Sequence, residues 1–197
     1  MTAPQVADDF QVETLLNRVL IYSGLPKIPS GHIFNSLLNA DEEIAYSLLI
    51  ENARVVQSKG LWFNTVFDFE VPVNESSAFY SINHEIQGTL ISVLNVINKP
   101  RNKCMDEEYT LWTDDIGNQI RTVDYKPAMY KGYIDYVYST PLQNCPDSFM
   151  DYVVKMTAQE FSGILGQPFN PDVVAKAEYR MTQDDAKNSR KPNVYRR

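Results

Sequence analysis

The spacing of apolar positions changes twice along the chain. Before residue 60, apolar residues recur every three to four positions in two segments, which is the period of an α-helix. Between residues 62 and 138, short segments rich in aromatic and β-branched residues are typical of strands. The helical spacing returns at residue 147. This order predicts an α+β protein in which helices from both ends of the chain flank a run of antiparallel strands.

The same changes of period predict the domain organisation. Residues 1–60 and 141–189 are predicted to form a helical bundle domain, and residues 61–140 an inserted antiparallel β sub-domain. Residues 190–197 are predicted to be an extended basic C-terminal arm. The sequence after Met181 is polar and cannot bury much in its own core, so we expect it to be disordered or to dock elsewhere.

The long helix predicted after Asn39 is the best-marked element. Asn39 is a suitable N-cap and Glu42, three residues later, completes a capping box. Acidic residues occupy the first turn and Arg54 lies near the end, as the helix dipole favours. Gly60 is placed to adopt the left-handed conformation that ends a helix.

The two faces of this helix are both partly apolar. The predicted core stripe is formed by residues with helical spacing, and it includes two polar members: Ile44, Ala45, Leu48, Leu49, Asn52, Val55, Val56 and Lys59. Tyr46, Ile50 and Ala53 fall on the opposite face. One interpretation is an ordinary core helix with a hydrogen-bonded asparagine. The other is a helix that packs on its own core and on a neighbouring subunit, with Tyr46, Ile50 and Asn52 as the subunit contacts.

The other predicted elements follow the same periodicities. Residues 1–9 are predicted to be loose and residues 10–23 helical, with Val12, Leu15, Leu16, Val19, Leu20 and Tyr22 on one face. Strands are predicted at 62–73, 80–82, 90–97, 109–112, 119–123 and 133–138, with Phe67, Phe69, Val71 and Val73 on one side of the first. A helix over 147–165 is predicted to be the most buried element, with Asp151, Lys155, Gln159 and Ser162 as its polar face. Asn170 and Pro171 begin a last helix with the stripe Val173, Val174, Ala177 and Met181.

Charge separates the body of the chain from its end. The net charge is −7, which argues against a general nucleic-acid binder. Residues 171–197 hold seven Lys or Arg and four acids, so this region is +3 and the remaining 170 residues are −10. A basic end on an acidic body predicts an acidic partner, although a solvated, frayed terminus has the same composition. No signal peptide or membrane-length apolar segment is visible, which favours a protein made in a cytoplasm-like compartment.

Residues capable of chemistry are sparse and scattered. His32 and His84 share no metal-ligand spacing, and Cys104 and Cys145 form no CxxC pair. The acidic clusters, 106–108, 114–115 and 184–185, could serve a glycosidase, but adjacent carboxylates in polar segments are usually solvated. We therefore predict no catalytic, cofactor-binding or metal-binding residue and no cofactor.

Three segments in order along the chain resemble one protein family. They are SGLPKI at residues 23–28, ARVVQSKGLWFNT at 53–65, and LQNCPDSFMDYVVKMTAQEFSGILGQP at 142–168. Together they resemble the tail tubular protein A family of short-tailed podovirus phages, the adaptor or gatekeeper of the head–tail connector. The second segment matches the family's Gln-Ser-Lys/Arg-Gly-x-x-Phe-Asn run, whereas Asn144 and Cys145 depart from the expected lead-in to the third.

The resemblance implies a structural virion protein of the tail, assembled in the host cytoplasm. It would form a dodecameric ring between the portal protein and the tail nozzle (tail tubular B-type) protein, and genomic DNA would pass through its channel without specific binding. The portal would be contacted by the C-terminal arm: Lys187, Arg190, Lys191, Tyr195, Arg196 and Arg197. Two other classes of function stay open, a tail-associated glycan hydrolase and a free DNA-binding regulator.

Overall fold

The computed structural model describes residues 3–31, 38–71, 79–82, 90–98, 109–114, 117–122 and 132–189. The chain divides into two compact units. One is helical and is drawn from Met1–Phe63 and Pro141–Arg190, and the other contains the strands within Asn64–Thr140. The strands pair antiparallel throughout the described part, so the predicted α+β class is confirmed.

The helical unit contains α1 (Ala3–Tyr22), α2 (Ala40–Gln57), α3 (Asp147–Ile164) and α4 (Pro171–Asn188). A short 3-10 turn, Leu142–Asn144, leads into α3. The helices share one apolar core, whose fully buried side chains include Leu16, Val19, Leu20, Leu49, Val56, Phe149 and Phe161. Burial of these side chains is the main stabilising contribution to the unit, at roughly 1.5–3 kcal/mol for each large residue.

Helix α1 starts earlier than the apolar pattern predicts. It begins at Ala3, so the prediction that residues 1–9 are loose is wrong for residues 3–9. Pro4 is tolerated there because the first turn of a helix needs no backbone donor from it. At the other end, Tyr22 is 43% exposed and does not belong to the buried face that Leu15, Leu16, Val19 and Leu20 form.

Local chemistry sets both ends of α2 as predicted. The Asn39 side chain accepts from the Glu42 backbone N–H, and the Glu42 carboxylate accepts from the Asn39 N–H at 2.8 Å. Gly60 has φ +72°, the left-handed conformation that favours glycine. The chain then turns so that Phe63 packs edge-on against Phe149 of α3, with ring centroids 5.2 Å apart.

The faces of α2 differ from the predicted stripe. Ala53, predicted on the outer face, is buried, whereas Ile44 and Val55, predicted in the core stripe, are 39% and 50% exposed. Lys59, also predicted in the stripe, is exposed. The buried side of α2 is rotated by about one residue from the predicted stripe, because neighbouring helices cover only part of the apolar surface. Ala53 is buried because a small side chain allows a close contact between helices.

Helix α3 is the central element of the helical unit, because α1, α2 and α4 all pack against it. Half of its residues are buried, as predicted. Two positions differ from the prediction: Ser162, assigned to the polar face, is 1% exposed, and Ile164 is 57% exposed. Ile164 lies in the last turn, where the covering helices no longer surround α3, and the small Ser162 fits at a crowded position.

The connector after α1 is held by side chains of that helix. The Glu13 carboxylate accepts from the Gly31 N–H, and the Asn17 side-chain oxygen accepts from the Ile28 N–H, both at 2.8 Å. Ile28 is thereby placed in the core. The buried carboxylate of Glu13 thus provides a hydrogen-bond acceptor for the backbone of this connector.

The segment after Met181, predicted to bury little and so to be disordered or to dock elsewhere, is ordered as part of helix α4. Asn170 caps the helix and Pro171 is its first residue, as expected. The helix then continues to Asn188, and the Asp185 carboxylate accepts from the Trp62 backbone N–H at 2.8 Å. Ala177 and Met181 are the buried residues of this helix, and the polar residues after Met181 are exposed or half-buried, so this end buries little, as predicted. The predicted arm, residues 190–197, lies outside the described residues.

The described residues of the strand unit form two three-stranded sheets. One has the order β1 (Thr65–Val71), β6 (Gly132–Tyr138), β3 (Leu90–Asn98). The other has the order β2 (Phe79–Ile82), β5 (Gly117–Thr122), β4 (Tyr109–Asp114). All six correspond to predicted strands. Val73 and the residues between β4 and β5 lie outside the described part of the chain.

An irregularity in β1 interrupts the predicted alternation. The register with β6 shifts between Val66 and Phe69, as in a β-bulge. Phe69 packs edge-on against Tyr136, with ring centroids 5.5 Å apart, whereas Phe67, predicted on the same side, is 41% exposed.

Burial raises the pKa of Tyr136, and the neighbouring Tyr138 adds to the effect. At the start of the strand, Asn64 donates from its side chain to the Tyr138 carbonyl at 3.1 Å.

Candidate functional site

The three residues predicted as subunit contacts have different environments. Ile50 is 40% exposed on α2, as a contact residue should be before assembly. Tyr46 is half-buried and packs against the core of its own unit. Asn52 is 8% exposed and belongs to the interior. Of these three residues, only Ile50 therefore has an exposed side chain that a neighbouring copy could contact.

The hydrogen bonds of Asn52 explain its position without a second copy. Its amide nitrogen donates to the Thr157 hydroxyl at 3.2 Å and to the Glu160 carboxylate at 2.9 Å. Thr157 in turn donates to the Val153 carbonyl, one turn earlier in α3. The asparagine is thus a polar link between α2 and α3, which matches the interpretation of an ordinary core helix at this position.

The outward side of α2 carries both aliphatic and charged residues. We define the α2 outer face by its exposed residues: Glu43, Ile44, Ser47, Ile50, Glu51, Arg54 and Val55. Three β-branched aliphatic side chains, Ile44, Ile50 and Val55, are 39–50% exposed within it. Such a group on one helix face is a feature of surfaces that bind another protein.

The outward side of α4 is basic and aromatic. We define the α4 outer face by its exposed residues: Asp172, Ala175, Lys176, Tyr179, Arg180, Gln183 and Lys187. Tyr179 is 66% exposed. Within the described residues, a hollow of about 430 Å³ is lined here by Asp172, Ala175, Lys176, Tyr179 and Arg180. The α4 outer face therefore combines positive charge with a concave, partly apolar surface.

Two of the four acids of α4, Glu178 and Asp185, contact the unit's own helices and connector, whereas Asp172 lies on the α4 outer face. Tyr152 of α3 donates from its hydroxyl to the Glu178 carboxylate at 3.3 Å, and Asp185 accepts from the Trp62 N–H. The ammonium of Lys59 lies 5.9 Å from the centre of the Tyr152 ring. Burial raises the pKa of Tyr152, and the negative charge of Glu178 and its hydrogen bond add to that rise. Two acids of α4 are thus engaged within the unit, whereas its three bases are exposed.

Of the predicted portal-contact residues, Lys187 lies exposed in the last turn of α4. The others, Arg190, Lys191, Tyr195, Arg196 and Arg197, lie outside the described residues, as do His32, His84, Cys104 and the acids at 106–108. Within the described ranges, no group of three or more His, Cys, Asp or Glu side chains is arranged to hold a metal ion.

Cys145 is a buried thiol just before α3. The Gln57 amide lies 3.8 Å from its sulfur, and the thiol donates to the Pro141 carbonyl at 3.5 Å. Burial raises its pKa from 9.0 to about 12, so the thiol is neutral in the folded protein at ordinary pH. A protonated, covered thiol is a poor nucleophile, and Cys145 is a packing residue.

Sequence reasoning did not single out the α4 outer face. The signal was present, because Lys176, Arg180 and Lys187 recur with helical spacing on one side of the helix, separate from the stripe of Ala177 and Met181. The composition of residues 171–197 alone indicates a basic terminal tail, because it does not show that a helix continues to Asn188 and places these bases on one face.

Comparison with known proteins gives no match, either to the protein-family models or to the curated proteins searched. Among the helices described here, none combines the length and the apolar character that crossing a bilayer would require.

Proposed function

We propose that the protein is a structural virion protein, a head–tail adaptor of a short-tailed phage. Copies of the chain would form a ring between the portal protein and the tail nozzle protein. The observation that carries the proposal is the α2 outer face. Its exposed aliphatics belong to a well-capped helix whose other side is fully engaged in the core. Covering each aliphatic by a neighbouring copy would contribute on the order of 1 kcal/mol.

The sequence resemblance supplies the identity of the partners. The segments at 23–28, 53–65 and 142–168 occur in family order, and each contains a glycine with positive φ: Gly24, Gly60 and Gly166. In this proposal no catalytic residue is assigned. The ring would be dodecameric, and DNA would pass through its channel without specific binding.

Charge is consistent with such a channel. The body of the chain carries −10 outside its last 27 residues. An acidic lining would repel passing DNA and keep it from adhering during ejection. The basic arm after α4 would reach the portal, with Arg190, Lys191, Tyr195, Arg196 and Arg197 as contact residues.

The test is a mass measurement of the purified protein, alone and mixed with portal protein from the same phage. We expect a ring-sized complex on the portal for the full chain, and loss of portal binding for a chain that ends at Ser189. The shortened chain keeps all of α4, so its fold should be retained. Normal portal binding by the shortened chain would remove the arm from the proposal, and no complex with the full chain would refute the adaptor function.

A further inference from the structure

We propose that the α4 outer face of one copy binds the α2 outer face of the next copy. This inference rests on the proposed function, because it specifies which surfaces join neighbouring copies in the ring. The two faces belong to different helices, so the contact is head-to-tail. A head-to-tail contact repeats from copy to copy and closes into a ring when the rotation allows it.

The excess of basic over acidic residues on the α4 outer face is the first argument. The helix has three bases and four acids. Two of the acids, Glu178 and Asp185, are used within the unit by Tyr152 and Trp62. All three bases, Lys176, Arg180 and Lys187, are exposed, and within the described residues none of them takes part in an ion pair. The outward surface of α4 is therefore more basic than the helix as a whole, and it lies on a protein with net charge −7.

The α2 outer face has the complementary charge. Helix α2 holds four acids and one base, and Glu43 and Glu51 are exposed on the outward side. They are eight residues apart, or about 12 Å along a helix. Arg180 and Lys187 are seven residues apart, or about 10.5 Å. Two acids can therefore meet two bases along a pair of adjacent helices.

Apolar surface is also matched between the two faces. The hollow beside Tyr179 is shallow and lined in part by that ring and by Ala175. The aliphatic side chains Ile44 and Val55 stand exposed on the α2 outer face, flanking Glu51 in the helix. A branched aliphatic that enters the hollow would lose its contact with water while the flanking charges pair. This combination of an apolar centre and a charged rim is the usual composition of a protein interface.

A protein partner explains the α4 outer face better than a nucleic acid does. Phosphate binding would use the three bases, but it leaves the hollow unfilled and gives no role to the exposed aliphatics of α2. The acidic body would also repel DNA. Duplex DNA is therefore kept as an alternative outcome of the experiment.

Charge exchange provides the test. One variant, Lys176→Glu with Arg180→Glu, makes the α4 outer face acidic. The other, Ser47→Lys with Glu51→Lys, makes the α2 outer face basic. Both pairs are exposed and four residues apart, away from the helix caps. Lys27→Glu, an exposed change in the connector, is the control for a general effect of charge. Circular dichroism and urea unfolding verify the fold of each protein.

Self-association is measured by sedimentation or single-particle mass over a concentration series, first for the wild-type chain. We expect each double variant alone to weaken assembly at least about tenfold, because like charges then face each other. The control should assemble as the wild type does. A 1:1 mixture of the two variants should recover assembly, because acidic α4 faces then meet basic α2 faces in alternation.

The remaining results separate this inference from the adaptor function. If the variants assemble as the wild type does, or if mixing restores nothing, the α4-to-α2 contact is refuted while the ring stays possible through other surfaces. If the wild type does not self-associate, alone or with portal, both ideas are refuted. If Lys176→Glu with Arg180→Glu abolishes salt-dependent binding to duplex DNA and leaves assembly unchanged, the α4 outer face is a nucleic-acid surface.

Discussion

The side-chain amide of Asn52 donates to the carboxylate of Glu160 across the contact between α2 and α3, with 2.9 Å between the two atoms. The same amide donates to Thr157, so one residue accounts for two of the polar links between these helices. Asn52 is nearly covered, and its partners are both on α3. Asn52, a polar residue in the predicted apolar stripe, thus has hydrogen-bond partners within its own unit.

We expect Asn52→Ala to lower the free energy of unfolding by about 1–3 kcal/mol, because a hydrogen bond to a charged group and one to a buried hydroxyl are lost. Urea unfolding at a concentration where the protein is monomeric measures this. Glu160→Gln keeps an oxygen acceptor and should cost less. Unchanged stability together with weaker self-association would instead return Asn52 to the subunit contacts.

Substitutions of Gly60 and Gly163 should have opposite effects on stability. Gly60→Val should destabilise the protein by about 1–2 kcal/mol or more, because its φ of +72° is unfavourable for residues with a Cβ and worse for branched ones. Gly163→Ala lies within α3, where a Cβ meets no atom within 4 Å, and should stabilise by about 0.5–1 kcal/mol. Thermal unfolding of both variants is the measurement. Equal effects at the two positions would show that backbone conformation at Gly60 is unimportant.

The buried thiol of Cys145 makes stability depend on pH at the alkaline end. The pKa of this thiol is about 12 in the folded protein and 9.0 ordinarily. Its contribution to the free energy of unfolding is therefore complete below pH 9 and is lost as the pH rises toward 12. The loss approaches about 1.4 kcal/mol per pH unit. We expect the stability of the wild type to fall by about 1 kcal/mol relative to Cys145→Ala between pH 8 and pH 10, in urea titrations. A constant difference would mean that the thiol is not buried.

Ile50 tests whether the outward side of α2 serves assembly. Ile50→Asp should weaken self-association and leave the unfolding free energy within about 0.5 kcal/mol, because the side chain is 40% exposed. Leu49→Asp, one residue earlier and fully buried, should prevent folding because a charge would enter the core. Sedimentation and circular dichroism distinguish the two effects. Loss of folding in Ile50→Asp would assign Ile50 to the core.

The contact between Asp185 and Trp62 defines where a removable C-terminal segment begins. A chain ending at Ser189 should unfold at the same urea concentration as the full chain. A chain ending at Gln183 loses the Asp185 carboxylate that holds the Trp62 N–H and should be less stable by about 1–3 kcal/mol. Equal stability of the two shortened chains would show that this hydrogen bond contributes nothing.

The amino-acid sequence alone determined the elements whose limits are local. The capping box at Asn39, the glycines at 60 and 166, and the cap at Asn170 act through atoms a few residues apart, so their chemistry is visible in the order of residues. The α+β class and the positions of the six strands follow from period alone. The start of α1 and the continuation of α4 were missed because neither depends on a strong apolar stripe.

Which side of each helix is covered depends on tertiary contacts. The spacing of apolar residues specifies which side of a helix is apolar, but the neighbouring helices cover only part of that side. The positions of those helices depend on contacts between residues more than a hundred positions apart in the chain, such as Asn52 with Glu160. Ala53 is therefore inside and Val55 outside. The distribution of charge on α4 has the same cause, because Tyr152 and Trp62 bind two of its acids, Glu178 and Asp185, and its three bases stay exposed.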